Sequence, residues 1–194
     1  MNKRIGRSCK RIVLMRQASC FLACLATWFG IVTLVWAAPS HEVSPEYAIK
    51  AAFLFKFGAF VEWPPIVFES ASAPLVIGIV GEDPFGAELD NIVKGRTINN
   101  RPIRIIRARK IDQLSDEHIL FISRSEMQHM DPIVEKLSGK NVLTVAEFEN
   151  PNIIIRFIVE RDKVRFDVNL DQAHRAGLKP SSKLLSVARS TIGK

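Results

Sequence analysis

Residues able to do chemistry are sparse in this sequence, and their spacing excludes more than it supports. His41, His118, His129 and His174 stand far apart, with no H-E-x-x-H pair and no cysteine at ligand spacing, so no metal site is expected. No serine occupies a G-x-S-x-G elbow, and no acid–base constellation stands out. The stretch Gly78-Ile-Val-Gly81-Glu-Asp-Pro-Phe-Gly86 lies where a strand turns into a helix, the position of phosphate loops, but it matches neither G-x-G-x-x-G nor the Walker pattern. It reads as a helix start, with Asp83 as N-cap and Pro84 in the first turn. Neither an enzyme nor a cofactor site is expected.

Charge narrows the field further. The 194-residue chain carries 27 basic and 20 acidic residues, yet six of the basic ones fall within the first 16 positions with no acid beside them. A mostly apolar run follows over 18–36, and Val35-Trp36-Ala37 places small residues where a signal peptidase reads. Residues 1–37 are therefore expected to be a cleaved export signal and 38–194 an α/β domain; the competing reading of 18–36 is a retained membrane anchor. Without the signal the balance is 21 against 20, which gives no support for nucleic-acid binding and none for membrane insertion after cleavage. Cys9, Cys20 and Cys24 leave with the signal, so the mature chain has no disulfide to form. Seven basic residues between Lys94 and Lys110, with no acid among them, read as a charged strand edge or as a polyanion contact.

The elements that must position anything functional alternate between strand and helix. Apolar runs over 74–80, 118–122 and 141–145 fit strands buried on both faces, with a further strand over 101–107. Helices are expected from Asp83 to about Lys94, over 125–137 and over 181–189. Segments 153–159 and 164–170 flank Glu160-Arg-Asp-Lys163 as a hairpin, and Arg165, Asp167 and Asn169 alternate with apolar residues, which predicts one wet face. The expected fold is a single-domain, largely parallel sheet flanked by helices, ending in a hairpin and a helix.

The stretch Tyr47 to Pro65 is a helix of two apolar faces closed by Pro64-Pro65. Leu54, Phe57 and Val61 form one face. Ala48, Ala52, Phe55 and Ala59 form another, small enough for close approach of either the C-terminal helix or a second subunit in a homodimer. Lys50, Lys56 and Glu62 interrupt the run. Phe57 and Trp63 fit core packing, or could line the pocket of a periplasmic small-molecule-binding domain, the alternative function.

Tyr47, Lys50-Ala-Ala-Phe53, Phe57 and Glu62-Trp-Pro64 resemble the opening signature of the YfiR-like family of small periplasmic proteins. Gly81-Glu-Asp-Pro-Phe85, 118–123, 142–145, Val164-Arg-Phe-Asp-Val-Asn169 and 176–185 continue the resemblance across nearly the whole mature chain. The resemblance implies a periplasmic regulator that represses an inner-membrane diguanylate cyclase through its periplasmic sensor region, lowering cyclic di-GMP. It also implies cysteine pairs and a glycine-rich approach to the hairpin; the mature chain lacks the cysteines and has Glu149-Asn-Pro-Asn152 instead of the glycines. On that basis the hairpin end, with Glu160, Arg161, Arg165 and Asp167, is the expected partner surface.

Overall fold

A computed structural model of the chain describes residues 44–193. The expected export signal lies outside the described residues. The structure begins with helix α1 (Pro45–Phe60), its first turn preset by Pro45, and ends it where Val61 turns extended. Strand β1 (Val61–Glu62) follows and pairs antiparallel with β9 (Lys179–Pro180). Gly58, near the end of α1, lets Ile98 approach closely: a Cβ there would lie 2.6 Å from Ile98 Cδ1, which would have to shift.

The main sheet contains β2 (Leu75–Val80), β3 (Thr97–Ile98), β4 (Arg101–Ala108), β5 (Ile119–Ile122), β6 (Leu143–Ala146), β7 (Ile155–Glu160), β8 (Lys163–Asn169) and β10 (Ser190–Ile192). Their order is β10-β8-β7-β6-β5-β2-β4-β3. The ladders from β4 through β2, β5 and β6 to β7 are parallel, and β7–β8 is the antiparallel hairpin. The fold is therefore the expected mixed α/β sheet with a terminal hairpin. Strands β2, β5 and β6 are buried at every position, the consequence of being covered on both faces.

Alternation within those strands sorts the core into two layers. Ile77, Ile79, Ile119, Phe121, Leu143 and Val145 pack with Ala51, Leu54 and Phe57 of α1. On the other face Val80, Leu120, Ile122 and Ala146 pack with Met130 and Ile133 of α3 (Met130–Leu137). Helices α4 (Leu170–Arg175) and α5 (Ser182–Val187) contribute Ala173 and Leu184 to the α1 side.

Local details differ from expectation for physical reasons. Helix α2 (Ala87–Val93) starts later than Asp83, because Gly86 adopts φ 50 and the Asp83 carboxylate is engaged elsewhere. Asp83 Oδ1 accepts from the Phe85 N–H at 2.8 Å, and Oδ2 accepts from Arg107 Nε at 2.6 Å. The helix expected over 125–137 divides into a 3-10 turn at Arg124–Glu126 and α3. The terminal helix stops at Val187, after which the chain becomes β10, parallel to β8.

Candidate functional site

The hairpin end is built by a two-residue turn. Glu160 pairs with Lys163, and Arg161 and Asp162 between them both have left-handed backbone, φ 51 and 58. That geometry matches the twist of the strands but is normally filled by Asn-Gly or Asp-Gly, because a Cβ is strained there. The β3–β4 turn, by contrast, places Asn99 and Asn100 in the same conformation, the residue type that tolerates it best among those with a side chain. Glu160, Arg161 and Arg165 are exposed, and so is Val159 at the top of β7.

Asp167 departs from the expected wet face. It is 2% exposed, because β10 and the opposite strand close over it. Arg189 reaches it with Nε on Oδ1 at 2.8 Å and Nη2 on Oδ2 at 2.7 Å. Arg156, its partner across the hairpin, donates to Oδ2 at 2.9 Å, and Ser190 donates to Oδ1 at 2.8 Å. Burial pushes the Asp167 pKa up, but these donors outweigh it and hold the carboxylate at about 2. Asp167 therefore does not offer a free carboxylate to a partner; it fixes the C-terminal strand to the hairpin.

The alanine face of α1 is only partly covered. Ala48, Ala52 and Phe55 are half-buried and Ala59 is exposed, with the Arg96 guanidinium 5.5 Å from the Phe55 ring. Phe57 is a core residue, its ring 5.1 Å from Phe166 and 5.7 Å from Phe157. Half-buried Trp63 packs against the same core. Neither ring is among the lining residues of the two cavities near α3 and at the N-terminal edge of the sheet.

Lys50 overturns the view of it as a mere interruption of the helix. It is 2% exposed, and its ammonium bonds Glu147 Oε1 at 2.8 Å as well as the Glu46 carboxylate. The Tyr47 hydroxyl donates to Glu147 Oε2 at 3.1 Å; burial first, then the Glu147 charge, push the phenol up to about 12. The sequence signal was a lysine on an otherwise apolar helix, but its partner lies 97 residues away.

This cluster borders the crevice where a doubly wound sheet usually binds its ligand. The chain leaves β2 for β4 on one side and then crosses to β5 on the other, so the loops after β2 and β5 diverge at the C-terminal ends of the strands. Here the protein fills that space itself. The Glu82 N–H donates to Ser125 Oγ at 3.0 Å, and a Cβ on Gly81, at φ 90, would clash with Ser125 and lie 2.8 Å from Glu126 Cγ.

A model of the YfiR/HmsC-like family matches residues 47–189. The chain belongs to that family. No curated protein matches it. The match to the YfiR/HmsC-like family starts at Tyr47 and stops at Arg189, the residues that anchor the two ends of the fold to Glu147 and Asp167. The family is one of periplasmic regulators of diguanylate cyclase signalling rather than of catalysts. No described helix is long and apolar enough to cross a membrane.

Within the YfiR/HmsC-like fold, the approach to the hairpin is built without glycine. The Asn152 N–H donates to Asn150 Oδ1 at 2.9 Å, and Thr144 Oγ1 bridges the Asn152 carbonyl and the Ile154 N–H. Glu149 reaches Arg156 at 3.0 Å, extending the Asp167 network to this turn. Much of the basic run is engaged internally: Arg107 bonds Asp83 and Asp90, both at 2.6 Å, and Arg101 donates to the Ser70 and Ala73 carbonyls.

Proposed function

We propose that this protein is a periplasmic repressor that binds the periplasmic sensor region of an inner-membrane diguanylate cyclase, lowering cyclic di-GMP and biofilm formation. Family membership over 47–189 is the observation that carries the reading. Residues 1–37 direct export and are removed, and the hairpin end is the docking surface. Its support is the turn itself: the two-residue hairpin needs left-handed backbone at Arg161 and Asp162, and keeping side chains there instead of glycine at an exposed tip is a cost that recognition can explain. Arg161, Arg165 and Glu160 meet the partner, while Asp167 holds Arg156 and Arg189 in place behind them. The alanine face of α1 joins two copies of the chain. Repression requires tighter binding to the inactive cyclase than to the active one.

The test is deletion in the host followed by complementation. Deletion should raise cyclic di-GMP, wild type should restore it, and Arg161→Glu/Arg165→Glu should restore it poorly while melting within about 0.5 kcal/mol of wild type, as expected of exposed charges. A deletion that leaves cyclic di-GMP unchanged refutes the function; full repression by the double variant refutes only the surface. The mass of protein recovered from the periplasm should correspond to a chain starting at Ala38.

A further inference from the structure

The N-terminal edge of the parallel strands, remote from the filled crevice, holds a cavity of about 570 Å³. Glu117 and His118, just before β5, line it together with Val76 of β2, Val142 before β6 and Phe68. Glu117 is 5% exposed, and neither of its carboxyl oxygens has a hydrogen-bond partner in the protein. Nearly every buried polar side chain in a folded protein is paired, and a buried carboxyl is among the costliest to leave alone. Such an exception calls for an explanation, and Glu117 differs from the unpaired Trp63 Nε1 in bordering a cavity.

The neighbouring groups define what that is. His118 is 7% exposed and accepts the Val76 N–H at Nδ1, 3.2 Å away, so the ring proton sits on Nε2. Burial is the main cause holding its pKa below the ordinary 6.5, and the Val67 carbonyl opposes it. A neutral ring adds no positive charge beside Glu117. The Phe68 ring stacks on His118 at 4.5 Å and the Arg101 guanidinium covers its other face at 3.7 Å, so this ring is closed on both faces. At the mouth Arg104 is engaged by Asp116 at 3.9 Å, leaving Glu69 and Lys140 as the remaining charges. Among the described residues no three His, Cys, Asp or Glu side chains are grouped to hold a metal ion.

We propose that this cavity binds a small organic cation carrying N–H donors, an amine or a guanidinium, which lies along Val76 and Val142 and toward which the closed-in Glu117 carboxyl turns to accept those donors. A carboxylate accepts such donors in a paired geometry, and the charge-assisted bonds are strong in a site shielded from water. The cavity also falls in the range of roughly 300–1,000 Å³ usual for small-molecule sites. The proposal stands on Glu117 and its surroundings and is independent of the repressor reading.

Agmatine, which has an ammonium at one end and a guanidinium at the other, is the probe. Titrated calorimetrically into the purified full chain, it should bind saturably and shift the ring resonances of His118. Glu117→Gln keeps the shape and removes the charge; it should melt no lower than wild type and bind agmatine at least about tenfold more weakly. Lys140→Gln removes a repelling charge at the mouth and should tighten binding about two- to threefold. No saturable binding, or equal affinity in wild type and Glu117→Gln, overturns the proposal. If Glu117→Gln fails to fold, unchanged affinity in Lys140→Gln together with an unmoved His118 ring overturns it.

Discussion

Replacing Asp167 by asparagine should cost stability in a way that pH reveals. The carboxylate receives four hydrogen bonds, three from the Arg189 and Arg156 guanidinium groups and one from Ser190. Holding it at about 2 instead of 3.8 corresponds to about 2 kcal/mol of folding stability at neutral pH. The sign follows from the direction of the shift. A carboxyl whose pKa is lowered in the folded state stabilises the fold above its unfolded value, and the contribution is lost as pH falls from 3.8 through about 2. Asparagine never has this contribution. Urea denaturation of wild type and Asp167→Asn should therefore differ by about 2 kcal/mol at neutral pH, and the gap should close as pH approaches 2. All other carboxyls titrate in both proteins and cancel in the difference. The amides of β10 should exchange faster in the variant, because its tie to β8 is loosened. A gap that stays constant with pH would show that Asp167 acts through packing, not through its charge.

Lys50→Met should destabilise by about 3–5 kcal/mol, since it strands the buried Glu147 carboxylate, whereas Lys50→Met/Glu147→Met should recover most of that loss in thermal denaturation; equal costs for single and double variants would count against a coupled pair. Asp162→Gly should raise stability by about 1 kcal/mol by relieving left-handed backbone at the tip, and unchanged denaturation would contradict strain there. Ala52→Arg should turn a dimer into a folded monomer in sedimentation with an unaltered circular dichroism spectrum. A variant that remains dimeric removes α1 from the subunit contact.

The layered α/β plan was legible because local patterning and global packing agree. Six consecutive buried residues in β2, and four each in β5 and β6, are apolar runs that only a doubly covered strand requires. The hairpin was legible as well, from alternation on either side of Glu160 to Lys163. The same alternation misled at Asp167, since period-2 logic places it outward and only Arg189 and β10 show that the outward face is covered there. Asp83 misled similarly: an acid before proline signals an N-cap, and its Oδ1 does accept the Phe85 N–H, but the left-handed Gly86 interrupts the turn and the helix starts only at Ala87.

The family signature was carried by short stretches of sequence, and the partner readings drawn from it belong to that level. The sequence by itself determined the order of the main strands and helices, most of their buried faces and the absence of cysteine after residue 24, because composition and periodicity are local properties. Tertiary structure alone decided which charges are buried and who satisfies them. Lys50 meets Glu147 across 97 residues, Asp167 meets Arg189 across 22, and Glu117 meets no one. The physical reason is that a charge is stable inside a protein only through specific partners at hydrogen-bond distance, and those distances arise from packing two layers against one sheet rather than from neighbours along the chain.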